Sequence, residues 1–241
     1  PEENWRAGVT TWRGAIPTDV GIEAANAKRI ADILRDHGLE SEPVGVDVVE
    51  LPMLRALETE GLTIVDGNHL MLEARTVKTA DEVALLNHAA GLVDGAYDEL
   101  YRFLRPGVKE NDAVALVNRF LYENGSEEVE AVNSISGERC SPHPHVFSNR
   151  FIRPGDTAYF DIIHSFMGYR TCYYRTLNVG SASSAQRDAY RQAREFMDLA
   201  MEEVKPGASS ADIVKHFPAA TDFGFSSEEE AFGLQYCHGI G

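Results

Sequence analysis

The segment His238-Gly239-Ile240-Gly241 carries the first chemical signal: an imidazole followed by glycines, where bare backbone can approach a ligand closely. Tyr236 and Cys237 stand beside it. A second polar group lies upstream, His143-Pro144-His145, followed by Asp161 inside an apolar run and then Cys172-Tyr173-Tyr174-Arg175. Imidazoles that titrate near neutrality suit proton transfer. Pro144 holds an extended backbone, so His143 and His145 point the same way, one toward a substrate while the other packs; the alternative is two surface loop histidines. Asp161 needs a metal, a cation or several donors if it is buried, or else it tips its strand and takes backbone N–H groups. His238 is either a reactive group or a strand-end ring bound to a backbone carbonyl. Cys172 is a soft ligand better suited to zinc than a carboxylate would be, or a neutral filler, or a nucleophile with no histidine next to it in sequence.

The elements that must position these groups are legible from periodicity and breakers. Residues 22–37 carry one apolar helical face and stop at Gly38; residues 43–47 read as a strand, 51–60 as a helix closed by Gly61, and 62–65 as a strand. Helix, strand, helix, strand is the rhythm of a small α/β layer. That unit is expected to end near Leu72, with residues 73–79 as a connection. Thr79 and Glu82 form a capping pair for a helix reaching about Leu104, Arg105-Pro106-Gly107 breaks it, and residues 110–124 resume as a helix. Strands follow at 129–134, 157–163 and 171–176, the last two joined by a turn at Gly168-Tyr169. Strand alternation then sets Cys172 and Tyr174 on one side, near Asp161, and Tyr173 and Arg175 on the other.

The helix–break–helix pattern recurs. Residues 184–204 and 210–217 read as helices around Lys205-Pro206-Gly207, and Pro106, Gly107, Asp112 and Val114 reappear 100 positions later as Pro206, Gly207, Asp212 and Val214. Repetition in the same structural setting implies a duplicated half, and two facing halves make a cleft. No Gly-x-Gly-x-x-Gly sits at a strand–helix junction, and Glu228-Glu229-Glu230 reads as a solvated face or a first helical turn.

Composition bounds the function. The 241 residues are 44% hydrophobic and 25% charged, ordinary for a globular protein, with a net charge of −16. That charge argues against nucleic acid or an anionic membrane as partner. No apolar run is long enough to span a bilayer, and no signal-peptide pattern opens the chain. Three cysteines are too few for a disulfide scaffold, which points to a reducing cytoplasm. The chain opens on Pro1-Glu2-Glu3 without an initiator Met, so its true N-terminus is expected to lie further upstream.

In this order the phrases Glu73-Ala74-Arg75, Lys78, Asp81-Glu82, Phe151-Ile152-Arg153-Pro154-Gly155-Asp156, Gly168-Tyr169, Arg175-Thr176 and His238-Gly239-Ile240-Gly241 resemble the creatinase/aminopeptidase family, which includes methionine aminopeptidase, prolidase, Xaa-Pro aminopeptidase and creatinase. The linking region also resembles the family's dimethylsulfoniopropionate lyase branch. The resemblance implies an α+β pita-bread fold with an internal pseudo-two-fold duplication (residues 73–241), lacking its C-terminal part, preceded by the C-terminal portion of a creatinase-type α/β N-terminal domain (residues 1–72). It implies metal ligation by Asp161 and His238, with Cys172 standing where a second ligand Asp is found, and two later glutamate ligands without counterparts. His143, His238 and Asp161 are the implied catalytic groups; His145, Tyr169, Arg175 and Tyr236 are expected to bind substrate, Arg175 through a substrate carboxylate or else serving only a structural ion pair. The cofactor stays open between a divalent metal (zinc, manganese or iron) and none. The implied reaction is hydrolysis of a C–N bond, amide, amidine or Xaa-Pro, in a small molecule or short peptide, by a homodimer with altered or absent metal dependence. A lyase and an inactive peptidase-like binding protein are the alternatives.

Overall fold

A computed structural model of the protein describes residues 21–141, 143–231 and 236–241. The chain divides into two compact units, one ending at Val77 and the other beginning at Lys78.

The first unit contains α1 (Ile22–Asp36), β1 (Val44–Val46), α2 (Leu51–Thr59), β2 (Ile64–Asp66) and α3 (Asn68–Ala74). β1 and β2 pair in parallel, and α2 makes the crossover that parallel pairing requires. Ala27, Ala31, Leu57 and Leu62 form its buried core. The helix α3 runs through the expected end of the unit at Leu72 and takes in Glu73 and Ala74 of the expected connection. Its Leu70, Met71 and Leu72 are exposed, so no buried stripe marks it in the sequence; its start is held instead by the Asn68 N–H donating to the Asp66 carboxylate at 2.8 Å.

The second unit opens with α4 (Ala80–Phe103), whose first turn is closed by the reciprocal Thr79–Glu82 pair. Such a cap contributes about 1 kcal/mol. α4 and α5 (Glu110–Glu123) pack so closely that a Cβ on Gly95 would sit 2.7 Å from the Phe120 ring. Both helices lie on the three-stranded antiparallel sheet β3 (Glu128–Ser136), β4 (Thr157–Phe166) and β5 (Tyr169–Asn178), in the order β3-β4-β5. Val93, Tyr97 and Leu100 of α4, Val117 and Leu121 of α5, and Phe160 and Ile162 of β4 form one core. The Tyr97 hydroxyl lies 2.9 Å from the Phe160 carbonyl and 2.8 Å from that of Tyr173, tying α4 to two strands.

The β4–β5 turn falls at Met167-Gly168, not Gly168-Tyr169. Both residues have positive φ, 50° and 80°, the geometry of a two-residue hairpin turn whose twist matches the strands. This turn fixes Phe166 opposite Tyr169 and therefore Asp161 opposite Tyr174 and Ile163 opposite Cys172.

The sequence repeat has a local structural counterpart. Gly107 and Gly207 both have positive φ, 92° and 87°. The Asp112 carboxylate accepts the Lys109 N–H at 3.0 Å, and the Asp212 carboxylate accepts the Ser209 N–H at 2.9 Å. α6 (Ser184–Glu202) starts with a Ser183–Gln186 capping box, as α4 does with Thr79–Glu82. The two differ in burial: α4 buries six residues, whereas α6 buries Ala200 and exposes Tyr190, Met197, Leu199 and Met201. α7 (Ser210–Val214) is shorter than expected, because the chain leaves helical geometry ahead of Pro218. Glu228 to Ala231 form a last turn of helix, α8, with its glutamates exposed.

Candidate functional site

Strand alternation gives β4 two different faces. Phe160, Ile162 and His164 face the helices; Tyr159, Asp161 and Ile163 face away. Asp161 is 1% exposed. Its Oδ2 accepts from Asn133 Nδ2 at 3.1 Å, directly across β3, and its Oδ1 accepts from the Cys172 thiol at 3.4 Å, diagonally across β5. Both donors are neutral. Burial, reinforced by the Asp161 charge, pushes the Cys172 thiol up to about 12, so it stays protonated at neutral pH.

The segment between β3 and β4 folds over this face. The Tyr159 hydroxyl donates to the Pro144 carbonyl at 2.9 Å, and the His143 ring stacks on the Tyr159 ring with centroids 4.6 Å apart. The Tyr174 hydroxyl then stands between two imidazoles, 3.3 Å from His143 Nε2 and 2.9 Å from His145 Nε2. A phenol has a single proton to donate. The Asp161 carboxylate also hydrogen-bonds this hydroxyl, and a proton given to Asp161 leaves the phenol oxygen to accept from the imidazoles. Burial, and then the charge of His145, lower the His143 pKa, while Asp161 pulls it up. Burial and the nearby Asp161 raise that of the Tyr174 hydroxyl. A neutral imidazole beside a protonated phenol and a carboxylate can accept a proton and return it.

The remaining expected site residues lie elsewhere. Arg175 is on the helix-facing side, over the Tyr173 and Tyr97 rings and 3.8 Å from the Asp94 carboxylate. The Tyr169 hydroxyl donates to Glu82 at 3.1 Å. Tyr236 stacks on Phe217 and donates to Glu228. His238 is exposed, its Nδ1 2.6 Å from the Gly239 carbonyl. The Gly241 N–H donates to the Arg170 carbonyl at 3.2 Å, which places this tail beside the turn end of β5, whereas Tyr174 lies further along the strand. Among the described residues, no three His, Cys, Asp or Glu side chains are grouped so as to hold a metal ion. Asn133 joins the site without having been singled out in the sequence, where it is one of several polar residues of β3.

Residues 84–241 match the sequence profile of metallopeptidase family M24. The chain belongs to that family. The M24 chain is 27% identical over 180 residues to the probable dipeptidase PepE of Mycobacterium tuberculosis, covering 73% of this chain and 48% of the relative. It is 27% identical over 207 residues to the dimethylsulfoniopropionate lyase DddP of Roseovarius nubinhibens, covering 81% and 45%. The Xaa-Pro dipeptidase structure from Bacillus anthracis superposes with a TM-score of 0.72 at 22% identity, covering 79% of this chain and 54% of that one. The fold is accordingly the pita-bread type of the M24 enzymes, represented in part: the chain spans about half the length of the curated relatives it matches.

The family's name implies a metal, and the donors that the described residues gather on this face do not by themselves make a site for one. Cys172 is a softer donor than a carboxylate, and its thiol donates its proton to Asp161, with the Glu130 carboxylate also near it and paired with Arg170. Asn133 offers Asp161 an N–H, and the His238 imidazole is not grouped with them.

Proposed function

We propose that the whole protein hydrolyses a C–N bond in a small molecule or short peptide, by proton transfer through His143 and without dependence on a metal. The observation that carries this reading is the gathering of His143, His145 and Tyr174 beside buried Asp161, whose partners are neutral donors.

In this mechanism neutral His143 takes a proton from water as the oxygen adds to the amide or amidine carbon. The resulting tetrahedral intermediate collapses as the imidazolium returns that proton to the leaving nitrogen, and the C–N bond breaks. Tyr174 orients the ring by holding Nε2, and His145 holds Tyr174. The Asp161 charge stabilises the imidazolium that forms, consistent with its upward pull on the His143 pKa. The test is turnover of dipeptides, Xaa-Pro peptides and amidines by the full-length protein, purified without chelators and then treated with them. Hydrolysis that survives chelation and disappears in His143→Ala supports the reading; hydrolysis abolished by chelation overturns it.

The similarity to the dimethylsulfoniopropionate lyase supports a second reading, in which the same imidazole abstracts a proton from carbon and an unsaturated acid is released. Formation of that acid without C–N cleavage decides for the lyase. Ligand binding with neither product decides for a binding protein.

A further inference from the structure

Glu110 is a fully buried charged residue outside the Asp161 face. It occupies the first turn of α5, where the helix dipole favours a carboxylate. A glutamate there is ordinarily solvated; this one is surrounded. Oε1 accepts from the Ser136 N–H at 2.8 Å and from the Ser136 hydroxyl at 2.8 Å. Oε2 accepts from the Ser148 hydroxyl at 2.7 Å and from the Arg139 guanidinium, which itself donates to Ser148 at 2.8 Å. Ser136 ends β3, and Ser148 lies at the far end of the segment that bears His143 and His145. One carboxylate therefore ties together the two ends of that segment.

The surroundings reinforce the tie. Arg150 donates to the Ser136 hydroxyl at 2.9 Å and to Asp156 at 2.6 Å. Between them, Gly137 begins the segment at φ 60°, and a Cβ there would lie 2.3 Å from the Arg150 guanidinium. The Ser134 N–H donates to the Val146 carbonyl at 3.1 Å, one residue beyond His145.

We propose that Glu110 is a positioning residue: by clamping Ser136, Arg139 and Ser148 it sets where the His143 and His145 rings meet Tyr174. The proposal rests on the reading of those histidines as the proton-handling groups, and it deepens that reading by naming what holds them. It places a residue of the helix layer in control of the opposite face of the sheet.

The test reads ring position rather than turnover. In full-length protein with labelled histidines, the His143 ring protons are displaced from solvent-exposed values by the Tyr159 ring current; His143→Gln and His145→Gln variants assign the two signals. Glu110→Gln keeps the side-chain shape and removes the charge. It should return both signals to the positions of exposed histidines such as His69, while buried His164, held by Ser126 and Ala89, keeps its own. Unmoved His143 and His145 signals in folded Glu110→Gln overturn the proposal. If that variant loses the His164 signal as well, Ser148→Ala is read the same way, since it removes the side-chain bond from that end of the segment to the Glu110 carboxylate and leaves the Asn111 N–H bond to the backbone carbonyl of residue 148 and the Glu110–Arg139 pair in place: displaced signals support the clamp, and unchanged signals overturn it. Absence of hydrolysis in the unmodified protein bears on the proposed function alone, because the ring signals are read without substrate.

Discussion

The Cys172 thiol donates to the Asp161 carboxylate across 3.4 Å, diagonally between two strands whose register is set by the Met167-Gly168 turn. The pair combines one negative charge with one neutral donor. Cys172→Asp would put two carboxylates in the same buried place, where like charges cannot both ionise cheaply. We expect this variant of the full-length protein to melt lower than the unmodified protein in chelator, by the equivalent of about 1–3 kcal/mol, and to regain stability with added Mn2+ or Zn2+. Thermal melts with and without metal check it. Cys172→Ser, which keeps a neutral donor, should melt close to the unmodified protein.

Tyr174 and His143 are expected to contribute unequally to turnover. His143→Ala removes the proton acceptor and should lower kcat by about 100-fold or more. Tyr174→Phe removes an orienting hydrogen bond, worth about 1 kcal/mol, and should cost up to about 10-fold. Steady-state kinetics of the two variants give the ranking; a larger loss in Tyr174→Phe than in His143→Ala would assign the proton transfer to the phenol.

Folding stability should fall as the pH drops below about 6.5. Burial, with the charge of His145 added, lowers the His143 pKa from its ordinary 6.5, and burial lowers that of His164 against the pull of its bond to the Ala89 carbonyl. Both rings therefore bind protons more readily in the unfolded chain. Their contribution to stability is complete above the unfolded value and is lost as pH falls through the lower folded values. Urea unfolding at pH 7.5 and pH 5 measures the difference, and His143→Gln should flatten the dependence. A slope unchanged in that variant would remove His143 from the account.

Arg175→Ala should alter stability rather than substrate binding. Its guanidinium lies over the Tyr97 and Tyr173 rings on the helix-facing side, near Asp94. Loss of an exposed cation–π contact costs about 0.5–1 kcal/mol. An unchanged KM with a slightly lowered urea midpoint is expected; a large rise in KM would return Arg175 to the substrate.

Local rules carried much of this fold. The Thr79–Glu82 cap, the breaks at Gly107 and Gly207, and the common face of Cys172 and Tyr174 all follow from spacings of a few residues, and spacing is visible in sequence. The helix α3 was not visible, because its apolar residues stay exposed and leave no buried periodicity. Alternation set Arg175 and Cys172 on opposite sides of β5, but which side meets α4 is decided by Tyr97 and Tyr173, far apart in the chain. Glu110 was hidden for the same reason. In sequence it is one more acidic residue at a helix start, and only the contacts with Ser136, Arg139 and Ser148 reveal its burial.

The unequal burial of α4 and α6 has a dynamic consequence. The two helices begin with the same kind of cap, yet water reaches nearly all of α6, including Tyr190 and Met201, while Val93, Ala96 and Leu100 of α4 are sealed. In this segment of 241 residues, opening α6 exposes little new apolar surface, so its amides should exchange with solvent through local fluctuations, while those of α4 wait for the sheet to come apart. Among the described residues, the two copies of the repeat are thus held to unequal degrees.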